Sequence, residues 1–480
     1  MKHIMRLILC LPLLLTVFLL PGCSSTGETA ESIAETEQTV ETEIKKPDIK
    51  SYADVEATAK QIYFTGNTDR DATSYHTGDE IVFNFSLRAD GKIISCPTFG
   101  WLAFTDDGQK YRGECSGETG TFELRIPATG TGFVRVKCFA KDEEGDLLKK
   151  VEQDTAINAP AIFGAGVNVE EIGVGMIAEP DDFDAFWADQ LALLDACPPD
   201  ILSVEELPCS LVGYKTVRIE IACPDGCGMA GAYLSYPEAA MPGTMPMDFS
   251  YHGYGTEDSY YNSTYPAETG KIRFSVSAHG LELGHPASFY SSLANYGFNT
   301  ANENRDTCYF RMMLLRDLQM LRFAKAFFGT GTVRGADGET ITGMGIWNGK
   351  ITVGGGSQGG FQAIAMAGLD HDVTAANVSI TWMCDIAEAT AGKSMGSVFR
   401  PNYTDALAYF DTINFAKRVP ATDAVTVHMG LGDYVSPPSS IFAMVNNMKC
   451  PVSMTIVQAR THGYQPPMAG IETRNVPAKP

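Results

Sequence analysis

Apolar and polar positions follow several distinct rhythms along this chain. Residues 7–20 form an almost unbroken apolar run, and residues 24–50 are rich in Thr, Glu and Ser with almost no aromatics. The first run is too short to span a bilayer comfortably, and the second has too little apolar surface to fold. Next come short segments of β-branched and aromatic residues: Ile81-Val82-Phe83-Asn84-Phe85, Phe122-Glu123-Leu124-Arg125-Ile126 and Phe133-Val134-Arg135-Val136-Lys137. The last two alternate clearly, and Ala89-Asp90-Gly91 and Asp106-Asp107-Gly108 supply turn signals. Strands at this spacing predict an immunoglobulin-like sandwich of about 110 residues. Its aromatics, Trp101 included, are expected to pack a core rather than stack on a sugar. It reads as a spacer or docking module.

Further on the period changes. Met313, Leu314, Leu318, Leu321 and Ala324 make an apolar stripe in residues 311–327, interrupted by Asp317, and predict a helix packed on a parallel sheet. Residues 351–353, 424–429 and 452–457 read as strands. The first of these runs into Gly354-Gly355-Gly356-Ser357-Gln358-Gly359-Gly360, followed by the apolar helical stretch Phe361, Ala363, Ile364, Met366 and Ala367. Gly355-x-Ser357-x-Gly359 between a strand and a helix resembles the nucleophile elbow of α/β-hydrolases, which lifts a serine hydroxyl above the sheet. Glycines suit such a turn because a Cβ would clash where backbones are forced together.

A serine nucleophile needs a base and an acid, and in this fold they follow it in the order Ser, Asp, His. Three histidines follow Ser357: His371, His428 and His462. His371 comes just after the elbow helix, too early for a base that should follow the acid. His428 lies within a strand. His462 falls on a loop beyond the strand at 452–457, where α/β sheets keep their chemistry. His462 is therefore the expected base. Asp433 lies on a loop after the strand at 424–429 and upstream of His462, so it leads as the acid. Asp370, Asp372, Asp385, Asp405, Asp411 and Asp423 compete, and most of them read as surface carboxylates.

Several separate segments then carry a resemblance. They are Asp182-Phe183-Asp184-Ala185-Phe186-Trp187, Tyr251-His252-Gly253-Tyr254-Gly255, Gly356-Ser357-Gln358-Gly359-Gly360, Tyr409-Phe410-Asp411-Thr412-Ile413-Asn414-Phe415-Ala416, and Gly430-Leu431-Gly432-Asp433 with Pro437-Pro438. In this order, over about residues 170–466, the chain resembles the acetyl xylan esterase and cephalosporin-C deacetylase family, carbohydrate esterase family seven. The resemblance implies an α/β-hydrolase with Ser357, Asp433 and His462 as its triad. It also implies an oxyanion hole built from the backbone N–H groups of Tyr254 and Gln358. One donor then follows the nucleophile directly and the other comes from an earlier strand-loop. Two positions depart from the family: His279-Gly280-Leu281 stands where it has Arg-Gly-Gln, and His462-Gly463 where it has His-Glu. Packing around His279, Leu281 and Gly463 is expected to replace a loop-stabilising pair between the lost arginine and glutamate.

Charge and the N-terminus complete the reading. A net charge of −22 argues against nucleic acid as a partner and disfavours anionic lipid surfaces, leaving a neutral ester or sugar as the natural substrate. Lys2 and Arg6 ahead of residues 7–20 make an export signal, and Leu20-Pro21-Gly22-Cys23 resembles a bacterial lipobox with Cys23 as the lipidated residue. Four segments follow: signal peptide 1–22, flexible tether 23–50, β-sandwich 51–165 and α/β-hydrolase domain 166–480. Of twelve cysteines, ten remain beyond Cys10 and Cys23. Cys223-x-x-x-Cys227 is the close pair, open to a local disulfide or to two free thiols, and metal-ligand spacing is lacking.

The expectation is an exported serine esterase, lipid-anchored to the bacterial membrane, that removes acetyl or other short acyl groups from carbohydrates. It requires no metal or cofactor, and the family's tendency to form closed oligomers leaves a homo-oligomer open. The rivals are an α/β-hydrolase acting on another acyl ester or amide, and a non-catalytic carbohydrate-binding lipoprotein.

Overall fold

Among the described residues, the eight strands of the N-terminal part follow the period-two segments and the turns between them. They are β1 (Ile62–Thr68), β2 (Glu80–Ala89), β3 (Lys92–Ile93), β4 (Thr98–Thr105), β5 (Lys110–Ser116), β6 (Thr121–Pro127), β7 (Gly132–Lys141) and β8 (Ala161–Val167). The β2–β3 hairpin turns through Asp90 and Gly91, both at positive φ (48° and 85°), as a two-residue Asp-Gly turn requires. β2 pairs antiparallel with β1 and β6, and a second antiparallel sheet runs β5-β4-β7-β8. The sheets share one core, in which Phe85 meets Phe163 at 4.9 Å and Phe64 meets Phe99 at 5.7 Å between ring centres. Trp101 is partly buried against this core.

The computed structural model describes residues 49–154, 161–174, 178–224, 226–256, 267–277, 279–293, 298–387 and 399–479. The expected signal peptide, Cys23 and nearly all of the tether lie outside the described residues. Among the described residues, no helix is long and apolar enough to cross a membrane.

β6 and β7 carry similar sequence patterns but meet different surroundings. In β6, Leu124 and Ile126 point inward while Glu123 and Arg125 are exposed and paired with each other. In β7, Val134 and Val136 fill the sandwich core, yet Phe133 and Arg135 are buried as well, at 1% and 3% exposure. Their face is covered by the rest of the protein: the Phe133 ring lies 5.6 Å from that of Phe442, and Arg135 Nη1 donates to the Asp433 carbonyl at 3.0 Å. Close backbone approach continues along β8. The Gln458 amide donates to Gly164 O at 2.8 Å and accepts from Gly164 N at 3.2 Å. A Cβ on Gly164 would stand 2.8 Å from the Leu431 carbonyl.

The α/β part adds β9 (Ile201–Leu207), β10 (Tyr214–Ala222), β11 (Met229–Pro237), β12 (Met245–Tyr251), β13 (Ile272–Ser277), the small hairpin β14 (Thr332–Arg334) and β15 (Thr340–Thr342), β16 (Trp347–Gly356), β17 (Ala375–Ser379), β18 (Ala424–Gly430), β19 (Val452–Val457) and β20 (Ile471–Val476). All but the hairpin form one ten-stranded sheet, ordered β20-β19-β18-β17-β16-β12-β13-β11-β10-β9. The six central strands, from β19 to β13, are parallel. Tyr251 pairs with Gly355, Gly356 with Ser379 and Ser379 with His428, so the carboxyl ends of β12, β16, β17 and β18 form one edge. Parallel strands buried on both faces leave that edge as the place for loops with chemistry. Helices Phe183–Asp195, Tyr309–Phe328, Gln358–Leu369 and Pro438–Asn447 cover the sheet. The helix expected over 311–327 spans Tyr309–Phe328, and the Asp317 that interrupts its stripe is wholly buried.

Candidate active site

Ser357 sits where β16 ends and the helix Gln358–Leu369 begins, at φ 55° and ψ −116°. A non-glycine residue there is strained, and the surroundings must impose it. Ser357 N donates to Ser379 O at 2.9 Å, tying the turn to β17. On the other side, a Cβ at Gly355 would meet Tyr251 O at 2.5 Å, and one at Gly359 would run into the same carbonyl. The two glycines let β12 close against the turn, and the serine is pushed up as a result.

The structure brings Ser357, His462 and Asp433 into one hydrogen-bonded line. Ser357 Oγ and His462 Nε2 are 2.9 Å apart, and His462 Nδ1 lies 3.0 and 3.2 Å from the two Asp433 oxygens. Asp433 is fully buried, and its Oδ1 also accepts the backbone N–H groups of Val435 and Ser436, both at 2.8 Å. A buried carboxylate held by backbone donors presents a fixed acceptor to an imidazole N–H. The other ring nitrogen is then left to accept the serine proton. His371 and His428 are exposed and stand apart from this line.

The competing aspartates need a correction. Asp385, Asp411 and Asp423 are buried rather than surface carboxylates. Asp411 caps the helix Thr412–Ala416 and accepts N–H groups from Ile413, Asp385 and Ile386, so the loop backbone uses it. Burial raises its carboxyl above the usual range even so.

Tyr254 lies on the loop after β12, with its side chain 64% exposed and its ring 5.1 Å from Phe298. Gln358 is the first residue of the elbow helix. Both line, with Ser357 and His462, a cleft of about 490 Å³ whose walls include Phe298, Trp382 and Phe399. Beneath it, His279 is 3% exposed; its Nε2 donates to Gly255 O at 3.0 Å and its Nδ1 accepts the Tyr309 hydroxyl. These partners fix the tautomer. Burial holds its pKa well below the usual histidine value, so the ring braces the Tyr254 loop uncharged. His252 packs edge-on against it at 4.8 Å, and burial lowers its pKa to about 4. The position expected to contribute packing thus contributes directed hydrogen bonds. A Cβ on Gly463 would face Asp154 Oδ2 at 3.8 Å, so the two departures from the family meet different partners.

A second buried chain runs under the elbow. Gln358 Nε2 donates to Gln362 Oε1 at 3.3 Å, and Gln362 Nε2 to Asp317 Oδ2 at 2.8 Å. Burial pushes the Asp317 carboxyl up to about 8. The sequence signalled Asp317 as a break in an apolar stripe, and His279 as a changed signature. Arg135 and Asp154 carried no signal. The ten described cysteines, Cys223 and Cys227 among them, are free thiols.

A family model described as acetyl xylan esterase (AXE1) matches residues 173–474. Acetyl esterase Axe7A of Xylanibacter ruminicola is 25% identical over 418 residues, covering 79% of this chain and 88% of that protein. Among solved structures, the acetyl xylan esterase from Paenibacillus sp. R4 is 20% identical, with a TM-score of 0.48 over 62% of this chain and 94% of that one. Acetyl xylan esterase 1 from Thermoanaerobacterium sp. JW/SL YS485 is 19% identical, with a TM-score of 0.45 over 62% and 93%.

Proposed function

The chain belongs to the acetyl xylan esterase family, and from that premise we propose that it removes acetyl groups from acetylated carbohydrates with Ser357, His462 and Asp433. As a member it is a carboxylic ester hydrolase. The observation that carries the mechanism is the unbroken line from Ser357 Oγ through His462 to the buried Asp433 carboxylate.

Ser357 Oγ attacks the acetyl carbonyl while His462 Nε2 takes its proton. The oxyanion forms against the backbone N–H groups of Gln358 and Tyr254, held by the elbow helix and by the His279-braced loop. Asp433 keeps the His462 tautomer and stabilises the imidazolium. The imidazolium then protonates the departing sugar oxygen, and water repeats the sequence on the acetyl-serine. The aromatic walls of the cleft, Tyr254, Phe298 and Trp382 among them, suit the flat apolar face of a sugar ring and a short acyl group.

The remaining proposals concern the N-terminus. We read the two-sheet part as an immunoglobulin-like module, supported by the β1-β2-β6 layer facing β5-β4-β7-β8. We place the mature protein on the bacterial membrane through lipid on Cys23, an expectation from sequence. Cys23→Ala should abolish lipid labelling, and an unlabelled mutant that stays in the membrane would remove this reading. For the activity, release of acetate from acetylated xylo-oligosaccharides by the wild type and not by Ser357→Ala is the expected result. Hydrolysis of 4-nitrophenyl acetate without any sugar ester being cleaved would redirect the substrate to another acyl class.

A further inference from the structure

Asp154 lies between β7 and β8, far in sequence from every candidate residue, yet it stands directly behind the acid–base pair. Its Oδ2 accepts the Thr461 hydroxyl at 2.6 Å and the Tyr434 hydroxyl at 3.0 Å. Thr461 immediately precedes His462, and Tyr434 immediately follows Asp433. One oxygen atom thus ties the loop that carries the imidazole to the loop that carries its carboxylate.

The tie is well protected. Asp154 is 8% exposed and Thr461 1%, so water competes poorly for either group. Thr461 Oγ1 in turn accepts Tyr464 N–H at 3.1 Å, and Thr461 N donates to Tyr464 O at 2.7 Å, closing the turn that contains His462 and Gly463. The Tyr434 phenol is pushed up by burial and then by the Asp154 carboxylate, so it remains a donor. Arg135 adds its hydrogen bond to the Asp433 carbonyl from the same sandwich edge.

The His462–Asp433 contact joins two loops separated by 29 residues, and their own sequence does not fix the gap between them. A displacement of about 1 Å in such a site can cost about a hundredfold in rate. We propose that Asp154 is a positioning residue for the proposed triad, setting the spacing of the His462 and Asp433 loops through one shared acceptor oxygen. The inference rests on the Ser357–His462–Asp433 reading above.

The test compares full-length Asp154→Ala, Asp154→Asn, Tyr434→Phe and Ser357→Ala on 4-nitrophenyl acetate, with melting temperatures measured alongside. Asp154→Ala should lower kcat by about ten- to a hundredfold while KM stays within about twofold. Asp154→Asn keeps an oxygen with two acceptor sites and should retain most of the activity, which separates the hydrogen bonds from the charge. Tyr434→Phe should lose about two- to fivefold in kcat, and adding it to Asp154→Ala should cost nothing more, since both remove the same tie. Wild-type kcat in Asp154→Ala, failure of Asn to restore it, or additive losses in the double variant would each overturn the proposal. If Asp154→Ala does not fold, Tyr434→Phe decides, and an unchanged kcat there refutes the role. Full activity in Ser357→Ala would instead refute the nucleophile itself, whereas an inactive Ser357→Ala beside a fully active Asp154→Ala removes only the role of Asp154.

Discussion

Ser357 is held by its near neighbours in the chain and by adjacent strands, whereas the loops that carry Asp433 and His462 are held, beyond their own turns, by residues about three hundred positions away. The elbow is a strand, a turn and a helix in immediate succession, shaped by Gly355 and Gly359 against Tyr251. The other half of the site is two loops that meet the sandwich. Arg135 and Asp433 are 298 positions apart, Gly164 and Gln458 294, and Asp154 and Thr461 307. A nucleophile needs one strained backbone, which local sequence can specify. An acid–base pair needs a distance between two loops, and here a separate layer of the protein supplies it.

The largest effect should come from the chemistry common to both halves. Ser357→Ala and His462→Ala should each lower kcat by about four or more powers of ten, and the double variant should be no worse than either. Asp433→Asn should lose about a thousandfold or more yet fold normally, because an amide oxygen still accepts the Val435 and Ser436 N–H groups. Wild-type turnover in Asp433→Asn would move the acid elsewhere.

Next, the local half should break through stability. Gly359→Ala puts a methyl group into the Tyr251 carbonyl and should cost on the order of 3–5 kcal/mol in denaturant titration. An alanine there that leaves the denaturation midpoint unchanged would mean the turn is not closed by β12 as described.

The distant half should break through rate. Arg135→Met removes the donor to Asp433 O and also a buried charge whose Nε has no partner. Because Arg135 also faces the buried Asp106 and Asp433 carboxylates, removing it alone leaves them without that charge and should lower stability as well. We expect kcat to fall about tenfold together with a lowered melting temperature. A large loss of stability with normal kcat would make the arginine a structural clamp only.

Gly463→Glu probes the same half more gently. Its carboxylate would approach Asp154 and should lower kcat a few-fold at low ionic strength, with partial recovery in salt. Adding His279→Arg should not restore the rate, because His279 serves Gly255 and Tyr309 on the other loop. Recovery in that double variant would revive a direct pairing between the two positions.

The smallest effect concerns the buried chain beneath the elbow. The Asp317 carboxyl is raised from 3.8 to about 8, so the folded protein holds a proton that the unfolded chain releases near pH 4. The contribution of Asp317 to stability therefore falls as pH rises from about 4 to about 8, and levels off above. Asp317→Asn lacks this dependence. Its melting temperature should gain about 2 °C or more on wild type between pH 5 and pH 8, and a constant difference would show that Asp317 is already ionised.

The parts read correctly from sequence were those whose cause is local. The glycine turn, the helix at 311–327 and the sandwich strands each have a pattern within a few residues. Order along the chain then singled out His462 and Asp433, which the structure brings to Ser357. Burial decided by tertiary covering was not legible. Arg125 and Arg135 alternate with apolar neighbours in the same way, yet one is solvated and the other sits beneath Asp433. Asp411 looked like a surface carboxylate because no local pattern shows that three N–H groups converge on it. Asp154 is the extreme case, since nothing within its own segment anticipates Thr461 or Tyr434.

Residue order also sets a timetable. The sandwich strands are complete by Val167, while Gln458 and Thr461 come about three hundred positions after their partners Gly164 and Asp154. Contacts this distant in sequence form late and slowly, after N-terminal units have had time to fold. The sandwich edge can therefore exist before the loops it receives, and act as a template against which those later loops are fitted. Until those loops dock, Ser357 has a turn but no base, and the folding chain carries a serine that cannot yet react.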